Sequence, residues 1–302
     1  LLGYRPKVTT AATVNIDFFQ QVPAVISGSA RIPDYAYSLN IPANTSITNT
    51  VGNISFIIED PVDFSFSSSL DPTEVSVFSI SGGQPEFFLL KKTRKAISSD
   101  IKTTTFNFGS PEKFSTRTIS DNNIIGILDV FDSNGNQYYE VPNLAQESIF
   151  DSIKNTNPND PNYSNDNEIP FLLKLKKVQR RFTTRFLNRS TLQFEFGAGT
   201  TGDNDEEITP NPNNVGLGLP FEQSKLTTAF SPTNFVLTDT YGIAPSNTTL
   251  TIRYLTGGGV NSNVGASALT SIDTSNIKFN DVSSLNPTLA NTIFGSLASN
   301  NP

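Results

Sequence analysis

The sequence predicts a mainly β protein that is built from antiparallel hairpins and small β domains, with one or few short helices. Short runs in which Val, Ile, Thr and Phe alternate with polar residues recur along the 302 residues, and this alternation is typical of strands. Clusters of Gly, Pro, Asn and Ser separate the runs, as turns do in antiparallel sheets. Helical periodicity is scarce. We therefore expect an elongated structural segment with several domains.

The amino-acid composition excludes several kinds of active site. The chain has no Cys and no His, so it lacks disulfides, thiolate nucleophiles and the commonest general base and metal ligand. An enzyme would have to rely on carboxylates, Lys, Tyr or Ser, and we expect a protein that is not an enzyme and needs no cofactor. Met is also absent, which indicates an internal segment of a longer protein. No apolar run reaches the roughly 18 residues of a membrane helix, so we expect a soluble segment.

The first predicted domain covers residues 1–110 and consists of strands. In the run TVNIDFF, Val14, Ile16 and Phe18 share one face. Two strands are predicted on either side of Gly52-Asn53, and a second pair flanks the turn SGGQP at residues 81–85. Gly, Asn and Pro are the residues that tight turns between antiparallel strands prefer.

The second predicted domain covers residues 111–200, and its segment DSNGN allows two interpretations. Asp132, Asn134 and Asn136 alternate around Gly135, as the oxygen ligands of a calcium loop do. A calcium loop of the helix-loop-helix type needs Gly at its sixth position, however, where this chain has Gln137. Asn-Gly between apolar runs is the strongest short signal for a hairpin. We therefore predict a hairpin turn here and no metal site.

A short helix is predicted at residues 144–154, packed on a sheet. Pro142 and Asn143 precede it as a stop and an N-cap, and Gln146 stands at the third helical position of a capping box. Three apolar residues further along share one stripe, which is the pattern of a helix that buries one side.

A basic hairpin is predicted at residues 181–197, within a stretch (172–189) that has seven basic residues and no acidic one. The phenylalanines of both strands alternate onto one apolar face, which leaves the basic residues on the other. Three interpretations of that basic face are open. It is a solvated strand face, a surface that binds nucleic acid, or a surface that contacts an acidic neighbouring protein. The formal charge of −7 argues against nucleic acid. The candidates for contact with a partner protein are Lys174, Lys176, Lys177, Arg181 and Arg185.

The third predicted domain covers residues 201–302, an acidic loop followed by a β segment. Its acidic residues are Asp203, Asp205, Glu206 and Glu207. A charge run in a loop rich in Asn, Pro and Gly is typically solvated, so we expect no metal there. Two polar segments, 155–168 and 199–214, have too little apolar surface to order by themselves. Loops of this length are functional or mobile.

Several segments in succession resemble one protein family. They are GYRPKVTTAATVNIDF (3–18), DSNGNQYYEVPNLAQESIFD (132–151), PFLLKLKKVQRRFTTRF (170–186), LQFEFGAG (192–199) and TDTYGIAPSNTTLTIRYLTGGGVNSNV (238–264). In this order they resemble the large baseplate wedge subunit of T-even-like contractile-tailed phages, particularly those of marine cyanobacteria. That family is related to the baseplate J proteins. The resemblance spans nearly the whole chain.

The resemblance implies a structural role without an active site. It implies a homodimer with a second copy, and contacts with a second wedge subunit and with other baseplate and sheath-initiator proteins. The inner baseplate built in this way rearranges when the tail contracts. The implied location is the tail baseplate of the virion, after assembly in the host cytoplasm. No nucleic acid, membrane or small-molecule substrate is expected as a partner.

Two other functions remain open from the residues themselves. A carbohydrate-binding or receptor-binding β module of a tail would need an exposed aromatic platform. The candidates for it are Tyr4, Tyr35, Tyr37, Tyr138 and Tyr139. An enzyme of the carboxylate glycosidase type is the third possibility, and its paired acids cannot be identified without their spatial separation.

Overall fold

The computed structural model describes residues 8–49, 54–155, 169, 171–199, 209–210, 236–237, 241–259, 262–280, 282 and 285–302. It is mainly β, as the alternation of apolar and polar residues predicts. The chain divides into two compact units. Unit 1 comprises Leu1–Val8, Ile101–Ile153 and Leu173–Leu255, and unit 2 comprises Thr9–Asp100, Lys154–Leu172 and Thr256–Pro302.

The described residues up to Phe108 form nine strands and one 3₁₀ helix, Tyr35–Tyr37. The strands are β1 (Thr13–Ser27), β2 (Ala30–Pro33), β3 (Leu39–Ile41), β4 (Ser46–Asn49), β5 (Ser55–Ile58), β6 (Val62–Asp63), β7 (Glu74–Ser81), β8 (Gln84–Ser98) and β9 (Asp100–Phe108).

The remaining strands follow in chain order. They are β10 (Thr116–Ser120), β11 (Ile124–Phe131), β12 (Gln137–Glu140), β13 (Ser148–Lys154), β14 (Phe171–Lys177), β15 (Arg181–Asn188), β16 (Thr191–Phe196), β17 (Thr209–Pro210), β18 (Val236–Leu237), β19 (Thr248–Thr256), β20 (Leu269–Ile272), β21 (Lys278–Phe279) and β22 (Ala298–Asn300). Helix α1 is Pro287–Phe294, and the Asn286 side chain caps it by accepting from the Thr288 and Leu289 N–H groups.

Unit 2 is organised around an eight-stranded sheet. Its strand order is β2-β1-β8-β5-β4-β20, with β22 paired to β1 and β7 paired to β8. The long antiparallel pair β1–β8 runs in register from Thr13↔Ile97 to Pro23↔Phe87. Every second residue of β1 therefore faces the core, and Ile16 and Phe18 are fully buried there.

The two strand pairs predicted in this part of the chain are confirmed. β4 pairs with β5, and β7 pairs with β8, in both cases antiparallel. The β7–β8 turn has Gly82 and Gly83 at φ +58° and +76°, a conformation that favours glycine. The turn predicted at Gly52-Asn53 lies outside the described residues. Tyr35 and Tyr37, two of the candidates for an aromatic platform, lie in the 3₁₀ helix.

A buried lysine connects the sheet of unit 2 to the loop before β7. The Lys92 side chain of β8 is fully buried, and its Nζ donates to the carbonyl oxygens of Asp63 and Phe66 at 3.1 and 2.7 Å. It also pairs with Asp71 at 2.9 Å. Arg94, two residues along β8, contacts both carboxylate oxygens of Asp71, at 2.7 and 2.9 Å. Three charged groups thus fix the loop against the sheet.

Unit 1 contains a seven-stranded sheet of order β10-β16-β15-β12-β11-β19-β9. The predicted basic hairpin is confirmed as β15–β16, with Phe182 opposite Phe196 and Phe186 opposite Leu192. These side chains pack in an aromatic core, where Phe182 and Phe194 have ring centroids 5.4 Å apart. β15 also pairs in parallel with β12, since Tyr139 aligns with Arg181.

The predicted turn at Asn134-Gly135 is confirmed between β11 and β12. Gly135 has φ +82°, and its N–H donates to the Asp132 carbonyl oxygen at 3.0 Å. The Asp132 carboxylate accepts from the Asn134 and Asn136 N–H groups and from the Asn136 side chain. Burial alone would raise the pKa of Asp132, but these hydrogen bonds hold it below its usual value.

The helix predicted at residues 144–154 is wrong. Ser148–Lys154 is strand β13, which pairs with β14 in a two-stranded sheet. The capping signals before it instead form a turn, in which the Gln146 N–H donates to the Asn143 carbonyl oxygen at 3.0 Å. Within the described part of the chain, no helix is long and apolar enough to cross a membrane.

The division into three consecutive domains also differs from the structure. The predicted first boundary, at residue 110, lies close to the end of the first part of unit 2 at Asp100. Residues 201–302 do not form a third body. Their later part returns to unit 2, where β20 pairs with β4 and β22 pairs with β1, and their earlier part belongs to unit 1.

Candidate partner-contact surface

Three of the five predicted contact residues lie on the ribbon formed by β13 and β14. Lys174, Lys176 and Lys177 are all exposed on β14. Lys176 Nζ donates to the Tyr139 hydroxyl at 2.7 Å and pairs with Asp151 at 3.2 Å. The ammonium also stands 4.8 Å from the centroid of the Tyr139 ring. These contacts with Tyr139 and Asp151 raise the pKa of Lys176 and keep it charged.

The opposite face of the ribbon is apolar and exposed. Successive side chains of a strand alternate between faces, so Leu173 and Leu175 point away from the face of Lys176. Phe150 precedes Asp151, which shares the face of Lys176, and so Phe150 lies with the two leucines. Phe150, Leu173 and Leu175 have exposed fractions of 74%, 74% and 67%. We call these three residues the apolar row.

A two-stranded ribbon usually packs its apolar face on the rest of the protein and exposes its charged face, and here the two faces are exchanged. The face with the charged residues turns toward Tyr139 of β12, while the face with the large apolar side chains is open. Burying such side chains is worth about 25 cal/mol per Å² of apolar surface, and a contiguous exposed apolar patch typically marks an interaction surface. The alternation LLKLKK at residues 172–177 carries the signal of this apolar face as well as that of the basic one.

The ribbon is less strongly basic than the sequence suggested. Acidic side chains of the neighbouring strand and of the loop before it approach two of the lysines, since Asp151 pairs with Lys176 and Glu147 lies 4.0 Å from Lys177. A single stretch of sequence could not show these acids, because they precede it by more than twenty residues. The lysines also divide between the faces, with Lys177 on the side of the apolar row and Lys174 on the other.

Arg181 is a correction to the predicted contact set. We expected it on an exposed strand face, but it is fully buried. Its Nε and Nη1 atoms donate to the carbonyl oxygens of Leu144 and Val178 at 2.7 and 2.6 Å. Gly242, at φ +85°, packs against it so closely that an added Cβ would stand 2.6 Å from Arg181 Cγ. Arg181 joins three loops of unit 1 and cannot meet a partner from this position.

Arg185 lies four residues further along β15 and is exposed, as predicted. Its Nη2 donates to the Gln193 side chain of β16 at 2.8 Å. Arg185 and Gln193 lie directly opposite each other in the antiparallel pair β15–β16. Arg185 therefore remains a candidate for contact with a partner.

The tyrosines predicted as an aromatic platform differ in their burial where the structure describes them, and Tyr35 is exposed. Tyr37 and Tyr138 are buried in the cores of unit 2 and unit 1 respectively. Burial raises the pKa of Tyr138 to about 12. The Tyr139 hydroxyl accepts a hydrogen bond from Lys176. Tyr4 lies outside the described residues.

The acidic segment at residues 203–207 lies outside the described residues, as does most of the polar segment 155–168. Within the residues that the structure describes, no group of three or more acidic side chains could hold a metal ion.

A scan of protein-family models found no match to the chain, and a search of the curated proteins found none either.

Proposed function

We propose that this chain is a structural component of a contractile-tail phage baseplate, which acts by binding other proteins and not by catalysis. The observation behind this proposal is the apolar row, three large side chains that are each about two-thirds exposed or more on an otherwise folded ribbon. A partner that covers these side chains would remove apolar area from water and so favour association. The resemblance of the sequence to the baseplate wedge family points to the same role.

The proposed partners follow from that family. They are a second copy of the chain, a second wedge subunit, and other baseplate and sheath-initiator proteins. The proposed location is the tail baseplate of the virion. Lys177 and Arg185 would contribute charge at the edge of such contacts, where charged residues affect the rate of association more than its strength.

Assembly with the second wedge subunit tests this function. We expect the double variant Leu173→Ser/Leu175→Ser to keep its melting temperature, because exposed side chains away from special features change stability by about 0.5 kcal/mol or less. The same variant should assemble at least tenfold more weakly, measured by size-exclusion chromatography with light scattering. Leu70→Ser is the matched control, because Leu70 is 83% exposed elsewhere on the chain.

The control should assemble normally. Normal assembly of the double variant would remove the apolar row from the contact surface. Unfolding of the double variant would mean that the two leucines support the fold of this chain.

A further inference from the structure

The turn between β11 and β12 contains a chemically reactive pair of residues. Asn134-Gly135 is the sole Asn-Gly dipeptide among the 302 residues. In such a pair the backbone nitrogen of the second residue can attack the side-chain amide carbon of the asparagine, because glycine has no side chain to block the approach. The chain can therefore modify itself at this position in water, and the structure of the turn decides how readily it does so.

The modification is a deamidation in two steps. The Gly135 nitrogen gives its proton to a solvent base and bonds to Asn134 Cγ, the bond from Cγ to the amide nitrogen breaks, and that nitrogen leaves as ammonia after taking a proton from water. This step closes a five-membered succinimide ring. Water then opens the ring at one of its two carbonyl carbons, which leaves aspartate or isoaspartate at position 134. The reaction requires no oxidant, reductant or cofactor.

The reacting pair is open to solvent. Asn134 and Gly135 are both exposed. A Cβ added to Gly135 would have no heavy atom of a neighbouring element within 4 Å. No packed side chain therefore keeps water or a solvent base away from the Gly135 nitrogen.

The closed turn nevertheless withholds the attacking nitrogen. Gly135 N–H donates to the Asp132 carbonyl oxygen at 3.0 Å, and Asp132 N–H donates to the Asn136 carbonyl oxygen at 2.9 Å. The Gly135 nitrogen has to leave this hydrogen bond before it can lose its proton and approach Asn134 Cγ. Exposed turns open locally at a smaller free energy than the whole protein needs to unfold. The rate of deamidation therefore depends on how often this turn opens.

The Asp132 carboxylate keeps the turn closed. It accepts hydrogen bonds from the Asn134 and Asn136 N–H groups at 2.9 and 2.8 Å, and from the Asn136 side chain at 2.9 Å. Hydrogen bonds to an ionised acceptor are about twice as strong as those between neutral groups. These three bonds hold the residues on both sides of Gly135, so opening of the turn has to break them.

We infer that Asn134 is a site of spontaneous deamidation, that the folded chain reaches this reaction only by opening the turn, and that Asp132 restrains it. The inference is independent of the proposed function, since it concerns a covalent change within the chain. Isoaspartate adds one carbon atom to the backbone between β11 and β12. Because the length of a hairpin turn fixes the register of its strands, this product disturbs the pairing of Phe131 with Gln137.

Incubation of the complete chain at neutral pH and body temperature tests the inference. Mass spectrometry of its peptides detects the product, which is one dalton heavier than the asparagine form, and an isoaspartyl methyltransferase labels the isoaspartate fraction. We expect the folded chain to be modified at Asn134, and the chain unfolded in guanidinium chloride to be modified there at least tenfold faster. Asn188 and Asn247 are internal controls, because both are exposed but precede Arg189 and Thr248. They should stay unchanged while Asn134 reacts.

Variants of the chain test the role of Asp132. Asp132→Ala should raise the rate in the folded chain at least threefold and leave the rate in the unfolded chain unchanged. Asp273→Ala is the matched control, since Asp273 also accepts from an N–H two residues further along, that of Ser275 at 3.0 Å, and it should keep the rate at Asn134. Should Asp132→Ala unfold the chain, Asn136→Ala removes only a side-chain hydrogen bond to Asp132 and should also raise the folded rate.

Three results would overturn the inference. An unmodified Asn134 in the folded chain, after the unfolded chain has reacted fully, would mean that the turn does not open. Equal rates in the folded and unfolded chains would mean that the turn exerts no restraint. An unchanged folded rate in both Asp132→Ala and Asn136→Ala would reject Asp132 as the restraining residue.

Discussion

Arg181 and Arg185 show how the same residue type on one strand acquires two roles. Both lie on β15 and alternate with phenylalanines that enter the core of unit 1. Arg185 is exposed, but Arg181 is covered by the loops that contain Leu144, Val178 and Gly242. Burial of an arginine is costly unless its N–H groups are paired, and here backbone carbonyl oxygens accept two of them.

Replacing the buried arginine should be far more harmful than replacing the exposed one. Arg181→Met leaves the carbonyl oxygens of Leu144 and Val178 without this donor, and we expect a loss of about 2 to 5 kcal/mol in unfolding free energy. Arg185→Met should change it by about 0.5 kcal/mol or less. Urea denaturation of both variants measures the difference. Equal stability of the two variants would contradict the structural role of Arg181.

The alternation of residues in the sequence predicted the register of β15 and β16 correctly, but not the burial of Arg181. Register depends on residues that are close in sequence, because one apolar face must be formed by both strands. The burial of Arg181 depends on Leu144 and Gly242, which are 37 and 61 positions away. The exposure of Leu173 and Leu175 likewise depends on a distant residue, since it depends on which face of β14 Tyr139 covers.

At the scale of an element, the residues before β13 have the pattern of a helix start, but pairing with β14 makes the segment a strand. Pro142, Asn143 and Gln146 have the spacing of a helix start, and the residues after them could form a helix. Helix propensity is a weak preference that tertiary context often reverses. The pairing of β13 with β14 supplies backbone hydrogen bonds along the segment, and Val178 N–H already donates to the Glu147 carbonyl oxygen at 2.7 Å.

Lys92, Arg94 and Asp71 join β8 to the loop before β7. This charged group should make the stability of the folded protein depend on pH in the acidic range. Burial alone would raise the pKa of Asp71, but the hydrogen bonds from Arg94 and Lys92 outweigh it and lower the pKa below the usual value. A carboxyl group whose pKa is lower in the folded state stabilises the protein above its unfolded pKa of about 3.9. That contribution is lost as the pH falls through the lower, folded value.

Asp71→Asn removes this acid-sensitive contribution. We expect its unfolding free energy to change less between pH 4 and pH 2 than that of the unchanged chain. At pH 7 the variant should be less stable by about 3 to 5 kcal/mol, because Lys92 keeps its buried charge without a counterion. Glu59→Gln is the control, since its pair with Lys95 is exposed and worth about 1 kcal/mol at most. Parallel pH profiles for Asp71→Asn and the unchanged chain would contradict the expectation.

At the scale of the whole molecule, unit 1 is largely an insertion within unit 2. Residues 9–100 and 256–302 belong to the same compact unit, and the chain leaves and re-enters it at neighbouring points. A Cβ added to Gly257 would stand 3.1 Å from the Ser98 carbonyl oxygen. No composition change in the sequence marks this division, because both units contain the same kind of strands. Consecutive domains were therefore the natural but inaccurate prediction.

A shortened chain tests this organisation. We expect a protein in which residue 100 is joined to residue 256 by a short Gly-Ser linker to fold, because the joined ends are adjacent in unit 2. Residues 9–110 alone should be markedly less stable, since they lack β20, β22 and α1, whose apolar residues Leu269 and Ile293 are buried in the same core. Thermal unfolding followed by circular dichroism compares the two. A stable 9–110 fragment would contradict this prediction.

The pairing of β1 with β22 has a consequence for the order in which the protein forms during translation. Domains generally fold from the amino end as the ribosome delivers them. Here β1 is synthesised before most of unit 1, yet Asn300 of β22, which pairs with Asp17 of β1, comes almost three hundred codons later. The open edges of β1 and β4 must persist in the nascent chain while all of unit 1 is produced. Unpaired edges are prone to aberrant pairing, so β1 and β4 need protection until β20 and β22 emerge.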